Sequence, residues 1–220
     1  MKRDEQLVYV IDDDEAVRHS LGLLLDAIGL QNEVYASALD FLAGFDRERH
    51  SCLVCDVRMP ALSGLQLQQR LAKNGIEIPI IFITGHGDVP MAVNAMKAGA
   101  LDFIEKPFRD QDLIDRIHKA LQQDRERRAV RKEDAAIREA LQTLTPRETE
   151  VMQRVVAGQS NKVIAMDLGV SPRTVELHRA RVMRKLGMRS LAALVKSITR
   201  VLPLAEDVAG GSSTGRSTTL

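Results

Sequence analysis

Tryptophan is absent from the 220-residue sequence, and only two tyrosines and two cysteines are present. The cysteines, Cys52 and Cys55, have C-x-x-C spacing, but no second pair exists to complete a zinc site. They share one apolar run of strand length, in which residues three apart point to opposite faces, so they read as buried thiols. No apolar run approaches the roughly 20 residues that span a bilayer, and Met1 to Glu5 lack the apolar stretch of a signal peptide. A cytoplasmic protein with no membrane partner is expected. So few aromatic residues also argue against an aromatic-lined pocket for a small apolar ligand.

The net charge of +1 conceals an asymmetry. Residues 146–200 hold eleven basic and four acidic side chains, a net +7, which leaves −6 for the remainder. Such a division predicts two domains with different partners, the basic one suited to nucleic acid.

The acidic part is organised around Cys52 to Asp56, an apolar run ending in a carboxylate, with Pro60 four residues on. Three further apolar runs end in reactive side chains. Leu7 to Ile11 is followed by Asp12 and Asp13, Ile80 to Ile83 by Thr84, and Leu101 to Glu105 by Lys106 and Pro107. Between the runs lie segments of helical spacing. Val17, Leu21, Leu24, Leu25 and Ile28 line the first, which Gly29 stops; Ser37 caps a second; a third spans Leu65 to Lys73; Pro90 opens a fourth; a fifth starts near Asp110. With a short strand at Glu33 to Tyr35, five strands alternate with five helices. That pattern predicts a parallel sheet covered on both faces, with chemistry outside the carboxyl ends of its strands.

Asp12, Asp13, Asp56, Thr84 and Lys106 would then share one edge. Three converging carboxylates must take up protons or bind a hard cation, and Mg²⁺ (or Mn²⁺) suits oxygen ligands and phosphate together. Asp56 is the candidate nucleophile toward a phosphoryl group, Asp12 and Asp13 the metal ligands, Lys106 the cationic clamp and Thr84 the hydroxyl donor.

These motifs, with Val57 to Pro60, Thr84-Gly85 and Phe103 to Phe108, resemble the receiver domain of two-component response regulators over residues 7–120. The resemblance implies a flavodoxin-like sheet of order 2-1-3-4-5. It also implies phosphoryl transfer from a sensor histidine kinase to Asp56, a metal site completed by the main-chain carbonyl of Arg58, and a cis Lys106-Pro107 peptide. A switch in which Thr84 swings inward and Phe103 follows is implied as well. The stretch from Thr84 to Gly99 is similar to the FixJ branch, which makes Val93, Met96 and Phe108 candidate dimer contacts. His86 and Arg58 flank the site and are candidates to govern water access to a phosphoryl group.

Residues 121–143 favour helix, contain neither Gly nor Pro, and are expected to continue the fifth helix. Ile117, Leu121, Val130, Ile137, Leu141 and Leu144 offer an irregular seam, so a semi-rigid connector and helix pairing between two chains both stand as readings.

Over residues 144–201 the sequence reads as an all-α domain. Thr145, Pro146 and Glu148 open one helix lined by Val151, Met152, Val155 and Val156. Ser160 to Leu168 forms a second, with Val163, Ile164 and Leu168 inward. A Gly169-containing turn leads to a basic helix from Arg173 to Leu186, and Ser190 to Val201 forms a fourth. Two helices joined by a short turn, the second rich in Arg, make a helix-turn-helix. The segment resembles the LuxR-type DNA-binding domain, which implies a recognition helix at 172–186. Candidate DNA contacts are Asn161, Lys162, Arg173, Thr174, His178, Arg179, Arg181 and Lys185. Some relatives carry Lys where Glu176 and Ala180 stand, so base contacts cannot be copied from them. Residues 202–220 have the composition of a flexible tail.

The sequence therefore predicts domains at 1–120 and 144–201 joined by a helical linker at 121–143. The expected function is a DNA-binding response regulator that dimerises when Asp56 is phosphorylated. Its expected partners are a sensor histidine kinase, double-stranded DNA and RNA polymerase, and it is not expected to act as a turnover enzyme. Two alternatives stand beside it. One is an Mg²⁺-dependent aspartyl-phosphate phosphatase, which would usually place an acid where Arg58 is found. The other is a LuxR-type receptor for a small molecule.

Overall fold

The computed structural model describes residues 6–85 and 89–202. They divide into two compact units, with the boundary between Ala129 and Val130.

The first unit alternates strand and helix: β1 (Leu7–Ile11), α1 (Glu15–Ala27), β2 (Gln31–Tyr35), α2 (Ala38–Gly44), β3 (Ser51–Asp56), α3 (Gly64–Lys73), β4 (Ile80–Thr84), α4 (Val89–Lys97) and β5 (Asp102–Glu105). α5 (Asp110–Leu141) follows and is continuous for 32 residues. The sheet is parallel, in the order β2-β1-β3-β4-β5. β1, β3 and β4 are buried at every position because helices cover both of their faces. Alternation along each strand creates two cores. Leu7, Tyr9, Ile11, Leu53, Cys55 and Phe82 face α2, α3 and α4, while Val8, Val10, Cys52, Val54, Ile81 and Ile83 face α1 and α5. Cys52 and Cys55 thus lie on opposite faces as free, buried thiols, and burial pushes both pKa values up.

Four of the seven aromatic residues, Tyr9, Tyr35, Phe41 and Phe45, gather around α2 in edge-on and stacked pairs. Caps define the helices locally. Asp14 and Ser37 accept from amides in the first turns of α1 and α2, and Ser63 and Gln66 form a capping box on α3. Ile28, expected inward, is the C-cap of α1 and is exposed.

Leu121 and Asp124 are buried in the first unit, which extends past the expected boundary at 120. The carboxylate of Asp124 accepts from the Ser51 amide at 3.1 Å and from Arg128 Nε at 2.5 Å. Arg128 donates in turn to the carbonyls of Glu48 and Arg47. The expected seam along α5 is therefore divided. Ile117 and Leu121 enter a core of the first unit, Ile137, Leu141 and Leu144 pack in the second, and Val130 is exposed.

The second unit contains the end of α5 followed by α6 (Pro146–Val156), α7 (Asn161–Leu168), α8 (Pro172–Lys185) and α9 (Leu191–Val201). Its core joins Ile137, Val151, Met152, Ile164, Val175, Val182, Leu194 and Ile198. Thr145 and Glu148 form a capping box, Ser160, Ser171 and Ser190 cap the later helices, and Gly169 ends α7 in the left-handed conformation. Val163, expected inward, is exposed; Ile164 is buried as expected, and Ala165 is buried beside it.

Candidate functional site

Parallel pairing aligns Ile11 with Cys55, Asp56 with Ile83 and Thr84 with Glu105, so the carboxyl ends of β1, β3, β4 and β5 form one edge. At that edge Lys106 Nζ donates to Asp12 Oδ2 at 2.7 Å and to Asp56 Oδ1 at 3.0 Å. The Lys106–Pro107 peptide is cis. The Arg58 amide donates to Asp56 Oδ2 at 2.6 Å, so both acceptor oxygens are engaged. Asp12 Oδ1 accepts from the Asp14 amide at 3.0 Å. Asp12, Asp56 and Thr84 are buried.

Burial raises the pKa of Asp56, against the opposing pull of the Lys106 hydrogen bond. Burial also works against the charge on Lys106, but its bonds to Asp12 and Asp56 outweigh that and raise its pKa. One ammonium thus shares two buried carboxylates, a stable arrangement only because each charge is paired.

Not every expected group enters this cluster. Asp13 is exposed, and among the described residues no three His, Cys, Asp or Glu side chains are gathered to hold a metal. The expected convergence of three carboxylates is realised by two. What lies at the edge is a pair of buried carboxylates, with Asp13 next in sequence to one and Arg58 two residues past the other, and oxygen donors of this kind suit Mg²⁺. Arg58 is exposed and Phe103 half-buried, the latter against the core that holds Phe82. His86 lies outside the described residues. Val93 and Met96 are 43% and 45% exposed, and Phe108 is half-buried against the α1 and α5 core. Sequence reasoning missed Arg18, whose guanidinium donates to the Asp12 carbonyl at 2.7 Å. Its position one turn into α1 was the available signal.

In the second unit, Arg173, Glu176, Leu177, Ala180, Arg181 and Arg184 are exposed at intervals of three and four, forming one stripe of α8. Arg184 was not singled out, although it stands three turns from Arg173. Lys162 is exposed on α7. Other candidates are committed locally. Arg179 Nη1 donates to Asn161 Oδ1 at 2.5 Å, linking α8 to α7. The hydroxyls of Thr174 and Ser171 lie 2.9 Å apart at the helix cap. His178 is half-buried.

Lys185 is also engaged within its own domain. Its ammonium reaches Glu148 Oε2 at 2.7 Å and the Thr143 carbonyl at 2.8 Å, and Glu148 is buried. A buried carboxylate needs that cation, so Lys185 has a structural part within the domain.

The response regulator receiver domain family matches residues 8–118, and the bacterial regulatory proteins, luxR family, match residues 142–198. The chain belongs to the FixJ/NarL family of two-component response regulators. This DNA-binding regulator is 50% identical over 189 residues to the transcriptional regulatory protein FixJ of Rhizobium meliloti (strain 1021), covering 86% of this chain and 93% of the relative. It is 47% identical to nodulation protein W of Bradyrhizobium diazoefficiens, covering 86% and 84% of the two chains. Among solved structures, the response regulator StyR is similar with a TM-score of 0.75 and 44% identity, covering 89% of this chain and 99% of that one. Full-length FixJ from B. japonicum gives a TM-score of 0.54 and 42% identity, covering 91% and 99%. Among the described residues no helix is long and apolar enough to cross a membrane.

Proposed function

We propose that this response regulator accepts a phosphoryl group on Asp56 from a sensor histidine kinase and dimerises in response, so that two DNA-binding units grip paired half-sites near a promoter used by RNA polymerase. The observation that carries the reading is Lys106 Nζ held between Asp12 and Asp56 at the carboxyl edge of the sheet. That ammonium fixes the acceptor now and stands ready to compensate phosphoryl oxygens later. Asp12, Asp13, Asp56 and the Arg58 carbonyl would hold Mg²⁺, which supplies further charge compensation to the phosphoryl group when bound. Arg58 N–H holds Asp56 Oδ2 and Lys106 holds Oδ1, so the carboxylate is kept in one orientation toward an incoming phosphoryl group. Thr84 and Phe103 form the switch, and Val93 and Met96 belong to the dimer face.

Exposed Arg173, Arg181, Arg184 and Lys162 support major-groove entry by α8. Asn161, Thr174, His178 and Arg179 are proposed to shape that surface, with any DNA contact made from their present local bonds. Residue 58 is an arginine, so no acid stands two residues past the acceptor, and turnover as a phosphatase is slow. The domains are proposed as residues 1–120 and 144–201 with a helical linker at 121–143, the two ends of which pack into the units they adjoin.

The test is intact mass of wild type and Asp56→Asn after exposure to a small phosphodonor, with and without Mg²⁺, followed by sedimentation. The reading requires one phosphoryl group that depends on both Asp56 and Mg²⁺ and that drives association. No modification under any donor overturns the acceptor assignment.

A further inference from the structure

α3 touches the backbone of Asp56 at its first residue and α4 one turn later. The Gly64 amide donates to the Val57 carbonyl at 3.0 Å. A Cβ at position 64 would lie 2.4 Å from the Asp56 carbonyl oxygen, 2.9 Å from Phe82 Cε1 and 3.1 Å from Cys55 Sγ. The nearest of these is backbone, so no change of rotamer relieves the overlap. The same carbonyl accepts from Cys55 Sγ at 3.2 Å, and the Ser63–Gln66 capping box fixes the start of the helix. The end of β3 and the start of α3 are therefore pressed together without slack.

Four residues on, and so on the same face of the helix, Gln68 is 4% exposed, and its Nε2 donates to the Ala95 carbonyl at 3.1 Å. Ala95 lies inside α4 and shares an apolar cluster with Leu67 and Leu71. A leucine or methionine would suit those surroundings better than an amide. Moreover, Gln68 Oε1 is buried and has no hydrogen-bond partner among the described residues, a cost that the single Nε2 bond must offset. The Ala95 carbonyl also accepts from the Ala100 amide at 3.0 Å. Release of Gln68 therefore leaves that carbonyl satisfied and the end of α4 intact. The bond can break without unravelling either helix.

We propose that α3 is a strut between the phosphoacceptor and α4, with Gly64 as the residue that positions Asp56 and Gln68 as a latch that holds α4 in its unphosphorylated place. The inference rests on the reading of Asp56 as acceptor and of α4 as part of the associating face. α4 carries exposed Val89, Val93 and Met96 at helical spacing, so freeing it raises the population able to associate. This connection runs through the backbone on the α3 side and needs no movement of Thr84 or Phe103.

The experiment uses the full chain, with Gln68→Leu and the unbranched Gln68→Met. Phosphoryl uptake from acetyl phosphate is followed by intact mass, and association by sedimentation before and after. Both variants are expected to take up the group at the wild-type rate. Unphosphorylated, they associate at a concentration about fivefold or more below that of wild type. Gly64→Ala is expected to lower the maximal rate of uptake about tenfold or more, with little change in the donor concentration at half-saturation. If wild type switches and both Gln68 variants associate as it does in each state, the strut is overturned alone. If wild type takes up no phosphoryl group, the acceptor reading fails and the strut with it.

Discussion

Lys106 Nζ lies 3.0 Å from Asp56 Oδ1, a contact between residues fifty positions apart in the chain. Burial favours the protonated, non-nucleophilic form of Asp56, and the Lys106 bond opposes it. Lys106→Met removes both that opposition and a cation beside the incoming phosphoryl group. Uptake from a small phosphodonor, measured by intact mass at pH 7, is expected to fall about a hundredfold. An unchanged rate would exclude Lys106 from the reaction.

Arg181 and Lys185 lie one turn apart on α8 with different surroundings. Arg181 is exposed, and Lys185 is bound to buried Glu148. Arg181→Ala is expected to weaken DNA binding and to reduce the slope of log affinity against log salt by about one unit. Lys185→Met is expected to keep that slope while lowering the thermal midpoint of the domain. Equal slopes for wild type and Arg181→Ala would take Arg181 off the DNA.

The Lys185 hydrogen bond, followed by the bond from the Thr145 amide, lowers the pKa of Glu148 from an ordinary 4.5 to about 2. A depressed carboxylate stabilises the fold above its unfolded pKa and loses that contribution as pH falls toward the folded one. The difference in thermal midpoint between wild type and Glu148→Gln should therefore be largest above pH 4.5 and shrink between there and pH 2. A difference independent of pH would mean that the charge on Glu148 is not what matters.

Much of this arrangement could be read from the residues. A strand that ends in Asp or Lys announces where its side chain emerges, and the caps at Ser37, Thr145, Ser160 and Ser190 are local signals, satisfied within three residues. What the residues left unread shares a cause. Lys185 looked like one more cation on a basic helix because its partner Glu148 is 37 positions away. Asp13 looked equivalent to Asp12, since nothing in the sequence says which of two adjacent carboxylates turns inward. Val163 was assigned inward by hydrophobicity, yet Ala165 fits the tight contact instead. Gly64 lay just outside the expected third helix, and nothing local showed that its lack of a side chain answers to the Asp56 carbonyl.

Asp124 falls within the stretch expected to be a linker, and it is buried against the start of β3. Asp124→Ala leaves the Ser51 amide without its acceptor and deprives Arg128 of its carboxylate. A loss of about 3 kcal/mol is expected in urea unfolding of the full chain. Asp124→Asn keeps an acceptor for Ser51 and should lose less. A loss as large in Asp124→Asn would place the whole effect on charge.

The bond between Asp124 and Ser51 has one more consequence. β3 is a central strand, and its first residue is fastened to α5 while its last carries the acceptor carboxylate. Hydrogen exchange should reach its amides only when the first unit opens as a whole. The acceptor is therefore built on the part of the sheet that local fraying reaches last. Whatever motion accompanies signalling is borne by the helices and loops around Asp56, while the strand beneath it serves as the fixed reference.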